Sequence, residues 1–538
     1  IPVDLSMQRR DFLSGALPMA ALLPELINGY SVKAFNMNSP LVQALLRGNT
    51  LTDHVLVIVQ LSGGNDGLNM VIPVADYSKY YNARTNIAIP ENAVLPIAGV
   101  TGTGLHPAMT GLQSLFAEGK ANVVQAVGYP QPNFSHFRAT DIWMSASNSR
   151  QEVFSGWAGR YLDYEYPNYP IGYPNSDMPD PLAIQIGGLT SLTLQGPTRN
   201  MGMSITNPTS FYNLISGTND YAPNTRAGKE LTYVRNINRQ TQGYATVIRS
   251  AANAVTVQSP YPTGNSLADQ LKIVARLIKG GLKTRVYMVS FGGFDTHSVQ
   301  VNTDKVTGSH ATLLGRVSAA IKAFQDDIKF LGVEDRVLGM TFSEFGRRIK
   351  SNSSTGTDHG AAAPLFLFGN QVEAGMLGVN PTIPTNALVN DNVPMQYDFR
   401  SIYATILEKW FCLDKSVVQS LFPPDINTQL QVLPLLKPGA CNGVAPPPPP
   451  VTNTDLLVTN FPNPFTSRTT VQFTTAGGHT LLQVFDTLGR LITVLTNQEY
   501  TAGTYRIDFD SEGLPAGLYY ARFQNGITQQ VRAMMKVR

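Results

Sequence analysis

Five short clusters in this 538-residue chain combine residues able to hold a cation, move a proton or attack an ester. They are Gly63-Gly64-Asn65-Asp66-Gly67, Asn133-Phe134-Ser135-His136-Phe137, Gly293-Phe294-Asp295-Thr296-His297, Ser343-Glu344-Phe345-Gly346-Arg347-Arg348 and Thr357-Asp358-His359-Gly360. Aspartate, glutamate and histidine together are the donor set of a divalent metal: zinc, iron, manganese, calcium or magnesium. On residue type the candidate ligands are Asp66, Asp295, His297, Glu344 and His359, with His136 and Asp358 as reserves. Ser135 stands where a helix through Ala139 to Met144 would begin. A helix N-terminus stabilises an alkoxide or a bound oxyanion, which makes Ser135 a candidate nucleophile. The same position is the ordinary place for a capping serine. Arg138, and Arg347 with its neighbour Arg348, offer guanidinium groups that either clamp an anion or hold a loop.

Taken singly these clusters say little, since a Gly-Asn-Asp-Gly run is usually a turn. Their force depends on elements that bring them together. His54–Leu61 is an unbroken apolar run, the pattern of a strand buried on both faces, and Ala121–Val127 is a second. Arg285–Phe291, Val337–Phe342 and Leu365–Phe368 read as further strands. Ser266–Lys279 has helical periodicity between a capping Asn265 or Ser266 and a stop at Gly280. Leu314, Val317, Ile321, Phe324, Ile328 and Leu331 recur at spacings of three and four and mark an amphipathic helix. Strand–helix–strand alternation implies right-handed crossovers and an α/β, doubly wound, mostly parallel sheet. Such sheets bind ligands at the carboxyl ends of their strands, where four of the clusters follow and the fifth just precedes a strand.

Composition narrows the setting. Only 14% of residues are charged, against roughly a quarter in soluble proteins, and the net charge is +3. That balance is too small to imply a nucleic-acid or anionic-membrane partner, and no nucleic acid is expected. Mean hydropathy is −0.07. Two cysteines rule out a disulfide framework. Cys412 and Cys441 are either buried thiols or a bridge closing a loop of about 28 residues, worth roughly 3 kcal/mol. In segment 1–34, Arg9-Arg10-Asp11-Phe12-Leu13 before a short apolar run reads as a twin-arginine export signal or as a plain amphipathic helix. The run is too short to span a bilayer, so no transmembrane segment is expected. The main domain is expected over 50–442. Within it, 160–260 forms an insertion that covers substrate or caps one side of the sheet. Residues 443–454 form a proline-rich linker. Beyond it, 455–538 shows short alternating runs punctuated by turns, the pattern of a small all-β sandwich.

Two resemblances follow from particular motifs. Asn460-Phe461-Pro462-Asn463-Pro464-Phe465, Val484–Arg490, Leu514–Tyr519 and the basic end Lys536-Val537-Arg538 resemble the type A sorting domain of type IX secretion. This implies the type IX machinery as a partner, alongside the twin-arginine one, and a secreted or cell-surface location. From about Val55 to Phe411, the five clusters together with Gly156-Trp157 resemble the bacterial family called domain of unknown function 1501. That family is considered similar to the alkaline phosphatase and sulfatase superfamily. The resemblance implies an alkaline-phosphatase-like sheet, a divalent metal held by Asp66, Asp295, His297 and His359, and Ser135 as nucleophile. It departs from the superfamily at Glu344-Phe345, where Asp-His is usual, and in the close spacing of Asp295 and His297, which argues against a full two-metal centre. Hydrolysis of a phosphate or sulfate ester is one expectation. A non-catalytic structural or adhesive surface protein that kept the fold is the other.

Overall fold

In Val55–Ser62 (β1) five apolar residues follow one another before the buried Gln60, and nearly all of the strand is inaccessible to solvent. The strand therefore lies at the centre of a sheet covered on both faces. The computed structural model describes residues 52–166, 169–170, 173–175, 177–208, 244–427, 429–441, 458–475, 477–486, 491–525 and 528–537. The twin-arginine segment and the proline-rich linker lie outside them. The described residues fall in two compact units, divided at Pro446 and Pro447.

The larger unit holds a nine-stranded sheet. Besides β1 its strands are Ala121–Gly128 (β2), Ala183–Ile186 (β3), Gly202–Ile205 (β4), Val286–Gly292 (β5), Val337–Phe342 (β6), Ala363–Phe368 (β7), Gly375–Leu377 (β8) and Tyr397–Asp398 (β9). The spatial order is β8-β2-β7-β6-β1-β5-β3-β4, with β9 also paired to β2. Every pairing is parallel except the two made by β7, which runs against β2 and β6. The reversal matters for function. It carries Thr357–Gly360, which precede β7, to the edge where the other strands end.

Helices cover both faces. They are Thr110–Ala117 (α1), His136–Ser145 (α2), Trp157–Glu165 (α3), Ser266–Lys279 (α4), Ser309–Phe330 (α5) and Phe399–Lys409 (α6). Val55, Val57, Val59 and Leu61 pack with α1, α4 and α5. Leu56 and Ile58 point the other way, onto α2, α3 and α6. The period of two along β1 thus serves two cores at once. The expected helix at Ser266–Lys279 is found to the residue, and Asn265 accepts a bond from the Ala268 N–H as its cap.

Part of the stretch expected as an insertion is built into this sheet and its core. Trp157, Tyr161 and Leu162 enter one core, and 183–186 and 202–205 are strands. The Tyr-rich segment before β3 lies at the opposite edge from the clusters. Asp180 and Pro181 accept bonds from Lys283 N–H and Thr284 Oγ1, just ahead of the amino end of β5. Asp180 and Pro181 thus stand at the amino edge, away from the clusters. Residues 209–243 lie outside the described residues. Cys412 and Cys441 are bridged, with Cα atoms 5.6 Å apart.

In the smaller unit seven strands form two antiparallel sheets: Val458–Phe461 (β10), Arg468–Thr475 (β11), Gly478–Asp486 (β12), Leu491–Tyr500 (β13), Gly503–Asp510 (β14), Gly517–Asn525 (β15) and Thr528–Lys536 (β16). Their orders are β10-β11-β14 and β13-β12-β15-β16. Val471, Phe473, Leu482, Val484, Phe509 and Phe523 close a core between them. The first strand, across Asn460-Phe461, has no signal in the alternation of its residues. Fold class is thus as expected: a doubly wound, mostly parallel α/β sheet and a small all-β module.

Candidate metal centre

At the carboxyl edge of the sheet the loops after β1, β5 and β6 and the loop before β7 meet backbone to backbone, and the loop after β2 joins them through the Phe134 carbonyl and His359 Nδ1. Phe294 N–H donates to the Ser62 carbonyl at 3.1 Å, and Gly346 and Gly360 pair with Ala361 and Gly346 at 2.7 and 2.8 Å. Gly63, at φ 124°, lies so close to the Asp295 loop that a Cβ there would stand 2.4 Å from Asp295 N. Only glycine fits such an approach in that conformation.

Four side chains converge on this edge. Asp295 Oδ1 lies 3.1 Å from His297 Nε2, 3.2 Å from His359 Nε2 and 3.5 Å from His136 Nε2. His297 Nε2 and His359 Nε2 are 2.8 Å apart. Ligand atoms of His136, Asp295 and His359 all lie within 4.8 Å of one another.

What stands behind each ring sets its tautomer. His359 Nδ1 is 2.8 Å from the Phe134 carbonyl, His136 Nδ1 is 2.8 Å from Glu344 Oε1, and His297 Nδ1 is 3.2 Å from Asp358 Oδ1. Carbonyls and carboxylates only accept, so each Nδ1 carries a proton, and in the neutral form of the ring Nε2 is then the lone-pair nitrogen. Three ring nitrogens and a carboxylate oxygen then face one small space. Donor atoms so placed are able to hold a metal ion. A set of three imidazoles and one carboxylate suits zinc or iron better than the all-oxygen shells of calcium and magnesium.

The charges agree with this arrangement. Burial alone would raise the Asp295 carboxyl, but the Arg347 guanidinium at 2.7 Å outweighs it and holds the group below the usual carboxylate range. Burial lowers His359 and so favours its neutral, lone-pair form.

Several expected residues have other work. Asp66 is not in the group: fully buried, it receives Arg84 Nη1 at 2.8 and 2.7 Å and Gln300 Nε2 at 2.7 Å. Burial would raise its carboxyl, but the Arg84 charge and the bonds from Arg84 and Gln300 more than offset this, and it is held low. Glu344 is likewise absent from the group. Its oxygens accept from Gly63 N–H, from His136 and, at 3.2 Å, from Ser343 Oγ, so it orients His136 from behind. His136 and not Glu344 faces the cluster. Asp358 orients His297 in the same way.

Arg347 is not free to clamp an anion, and Arg138 is tied to a loop through Nη2. Arg138 Nη2 binds the carbonyls of Asn148 and Gln151 at 2.8 and 2.6 Å. Arg347, wholly buried, spends its N–H groups on the carbonyls of Gly63, Gly64, Phe294 and Thr357 and on Asp295. Both hold loops. Half-buried Arg348 gives Nε to the His359 carbonyl and Nη1 to Asn390 Oδ1, and lies 5.7 Å over the Phe134 ring.

Ser135 is the N-cap residue of α2 but makes no side-chain cap bond. Its N–H donates to Asn133 Oδ1 at 2.9 Å, and the residue is exposed beside His136. Residue reading missed Arg84 and Gln300. Arg84 follows a short Tyr-rich helix and carries no motif. Gln300, three residues beyond His297, had only that proximity as a signal.

Comparison with known proteins adds two regions. Residues 223–422 match the family described as protein of unknown function (DUF1501), a match that starts later than the expected Val55. Residues 459–537 match the secretion system C-terminal sorting domain. No curated protein matches the chain. Among solved structures, one from Bacteroides thetaiotaomicron, described with the metabolism of multiple glycosaminoglycans, is 11% identical over 82% of this chain and 89% of its own, at a TM-score of 0.33. The PsFucS1 sulfatase from Pseudoalteromonas sp. is 10% identical over 89% and 91%, at 0.29. A protein in the alkaline phosphatase superfamily from Vibrio parahaemolyticus is 7% identical over 91% and 84%, at 0.28. Likeness at this level carries no functional weight. Among the described residues no helix is long and apolar enough to cross a membrane. Residues 223–422, within the α/β unit, are thus similar to the DUF1501 family, and residues 459–537 to a secretion-system sorting domain.

Proposed function

We propose that the protein is a secreted or surface-attached, metal-dependent hydrolase of phosphate or sulfate esters, exported first by the twin-arginine route and then by type IX secretion. The convergence of three inward-facing Nε2 atoms with Asp295 carries this reading. His136, His297, His359 and Asp295 would hold one divalent cation. When bound, it supplies Lewis acidity to the oxygens of the ester. Asp66 is already neutralised by Arg84, which favours one ion per chain over two.

The chain's own groups would do the rest. Ser135 attacks phosphorus or sulfur, and the alcohol leaves with the serine's proton. Water then cleaves the seryl ester, restoring the hydroxyl and releasing phosphate or sulfate. Arg348, rather than the fully engaged Arg347, is placed to meet the anion, because its bond to the His359 carbonyl holds it beside the cluster and its two bonds leave Nη2 without a protein acceptor among the described residues.

Metal analysis of gently purified protein is expected to find about one zinc or iron per chain. Replacing His297→Ala should remove most of it. Ser135→Ala should keep the metal and lose roughly 10³-fold or more of ester turnover. Protein without metal and without turnover across phosphate and sulfate esters would leave the non-catalytic surface reading in its place.

A further inference from the structure

Beneath the converging histidines lies a buried polar hub that neither acts on substrate nor holds a cation. Gln300 is its centre and is inaccessible to solvent. Its Nε2 donates to Asp66 Oδ2 at 2.7 Å. A carboxylate can only accept, so the amide orientation is determined and Oε1 must face the other way. There it accepts from Thr296 Oγ1 at 3.0 Å and Thr357 Oγ1 at 3.1 Å. Thr296 stands between Asp295 and His297; Thr357 is followed by Asp358 and His359. One amide therefore grips both loops that carry inward-facing groups, and anchors them to an ion pair. The backbone repeats the link, with Gln300 N–H donating to the Thr355 carbonyl at 2.8 Å. The far side of the hub is equally tied. Arg84 donates to the carbonyls of Ile349 and Arg348 at 2.8 and 2.6 Å and to Asn69 Oδ1 at 2.9 Å.

We propose that Gln300 is a positioning residue. It couples the buried Asp66–Arg84 pair to the loops of Asp295, His297 and His359 and so sets the spacing of the metal-binding atoms. The proposal rests on the metal reading above and adds to it. Asp66, at the position where the family resemblance places a ligand, acts here through Gln300 and not by coordination. Partners one step behind metal ligands typically change affinity by about 10–100-fold. Gln300 holds the neighbours of the ligands, so the lower figure, about tenfold, is expected.

The test is cobalt(II) titration of the full chain, followed by visible absorption, with thermal unfolding measured in parallel. The unaltered protein should bind one cobalt. Gln300→Leu, which keeps the bulk and removes all three bonds, should weaken binding about tenfold and change the ligand-field bands. Thr296→Val and Thr357→Val each cut one link and should give smaller losses with nearly unchanged unfolding temperatures. These two variants carry the test if Gln300→Leu does not fold. Unchanged cobalt affinity and spectrum in the folded variants overturns the positioning role and leaves the metal reading standing. An unaltered protein that binds no cobalt overturns both.

Discussion

His106 and His310 are the two fully buried histidines of the larger unit, with rings 6.2 Å apart and edge to face. His106 Nδ1 accepts from the Ala108 N–H, and His310 Nε2 meets Asn65 Oδ1 at 2.9 Å. The remaining nitrogen of each ring has no protein partner. Burial pushes His106 down to about 3 and His310 down to about 4. Both are therefore neutral in the fold, whereas the unfolded chain protonates them near pH 6.5. Their stabilising contribution is complete above that value and drains away as pH falls toward 4. Each should contribute a slope of about 1.4 kcal/mol per pH unit across that window. Urea midpoints at pH 7, 6 and 5 check this. The double variant His106→Asn/His310→Asn should show a clearly flatter acid limb, and an equal slope would refute the assignment. The same residues show why residue type alone misled at Asp66 and Glu344. Type and spacing point to chemistry, and they found Asp295, His297, His359 and, in reserve, His136. They do not tell which carboxylate is already answered by a buried cation or a ring nitrogen. Arg84 and His136, brought in from distant segments, answered those two.

The secondary elements were legible because burial leaves a periodic trace, two residues along β1 and three to four along α5. Direction leaves no such trace. Nothing in Ala363–Phe368 tells that β7 runs backwards, yet its reversal is what delivers His359 to Asp295. The close packing of loops was also hidden, since a glycine is equally common in an ordinary turn. Gly63 makes the point testable. At φ 124°, with Asp295 N 2.4 Å from any added Cβ, Gly63→Ala must strain its own backbone and push the Asp295 loop outward. A loss of about 2–4 kcal/mol in unfolding free energy is expected, together with loss of bound metal. Gly281→Ala is the control, because its φ of 96° is also positive but nothing lies within 4 Å. It should cost about 1 kcal/mol and leave the metal in place. If both variants retain the metal equally, loop contact at Gly63 does not set the position of Asp295.

For the larger unit as a whole, the functional edge and the covalent tie lie at opposite ends of the sheet. The histidines gather where β1 and β5 end, whereas His54, just before β1, stacks on Trp410 at 3.9 Å and bonds its carbonyl at 2.7 Å. Cys412 follows two residues later, and its bridge to Cys441 holds the closing segment, whose Leu435 carbonyl accepts from the Glu373 N–H at 2.9 Å. A bridge of this span stabilises by about 3 kcal/mol, mainly by restricting the unfolded chain. Reducing agent, or the Cys412→Ser/Cys441→Ser pair, should therefore lower the urea midpoint by an amount of that order. It should leave metal content and cobalt affinity unchanged, because no ligand loop runs through the amino edge. The bridge forms only in an oxidising compartment, in keeping with a chain whose residues 459–537 match a secretion sorting domain. Protein made in a reducing cytosol should accordingly be less stable than the exported form while binding cobalt equally well. A parallel loss of cobalt binding on reduction would show that the two ends of the sheet are coupled and that stability and site cannot be separated in this fold.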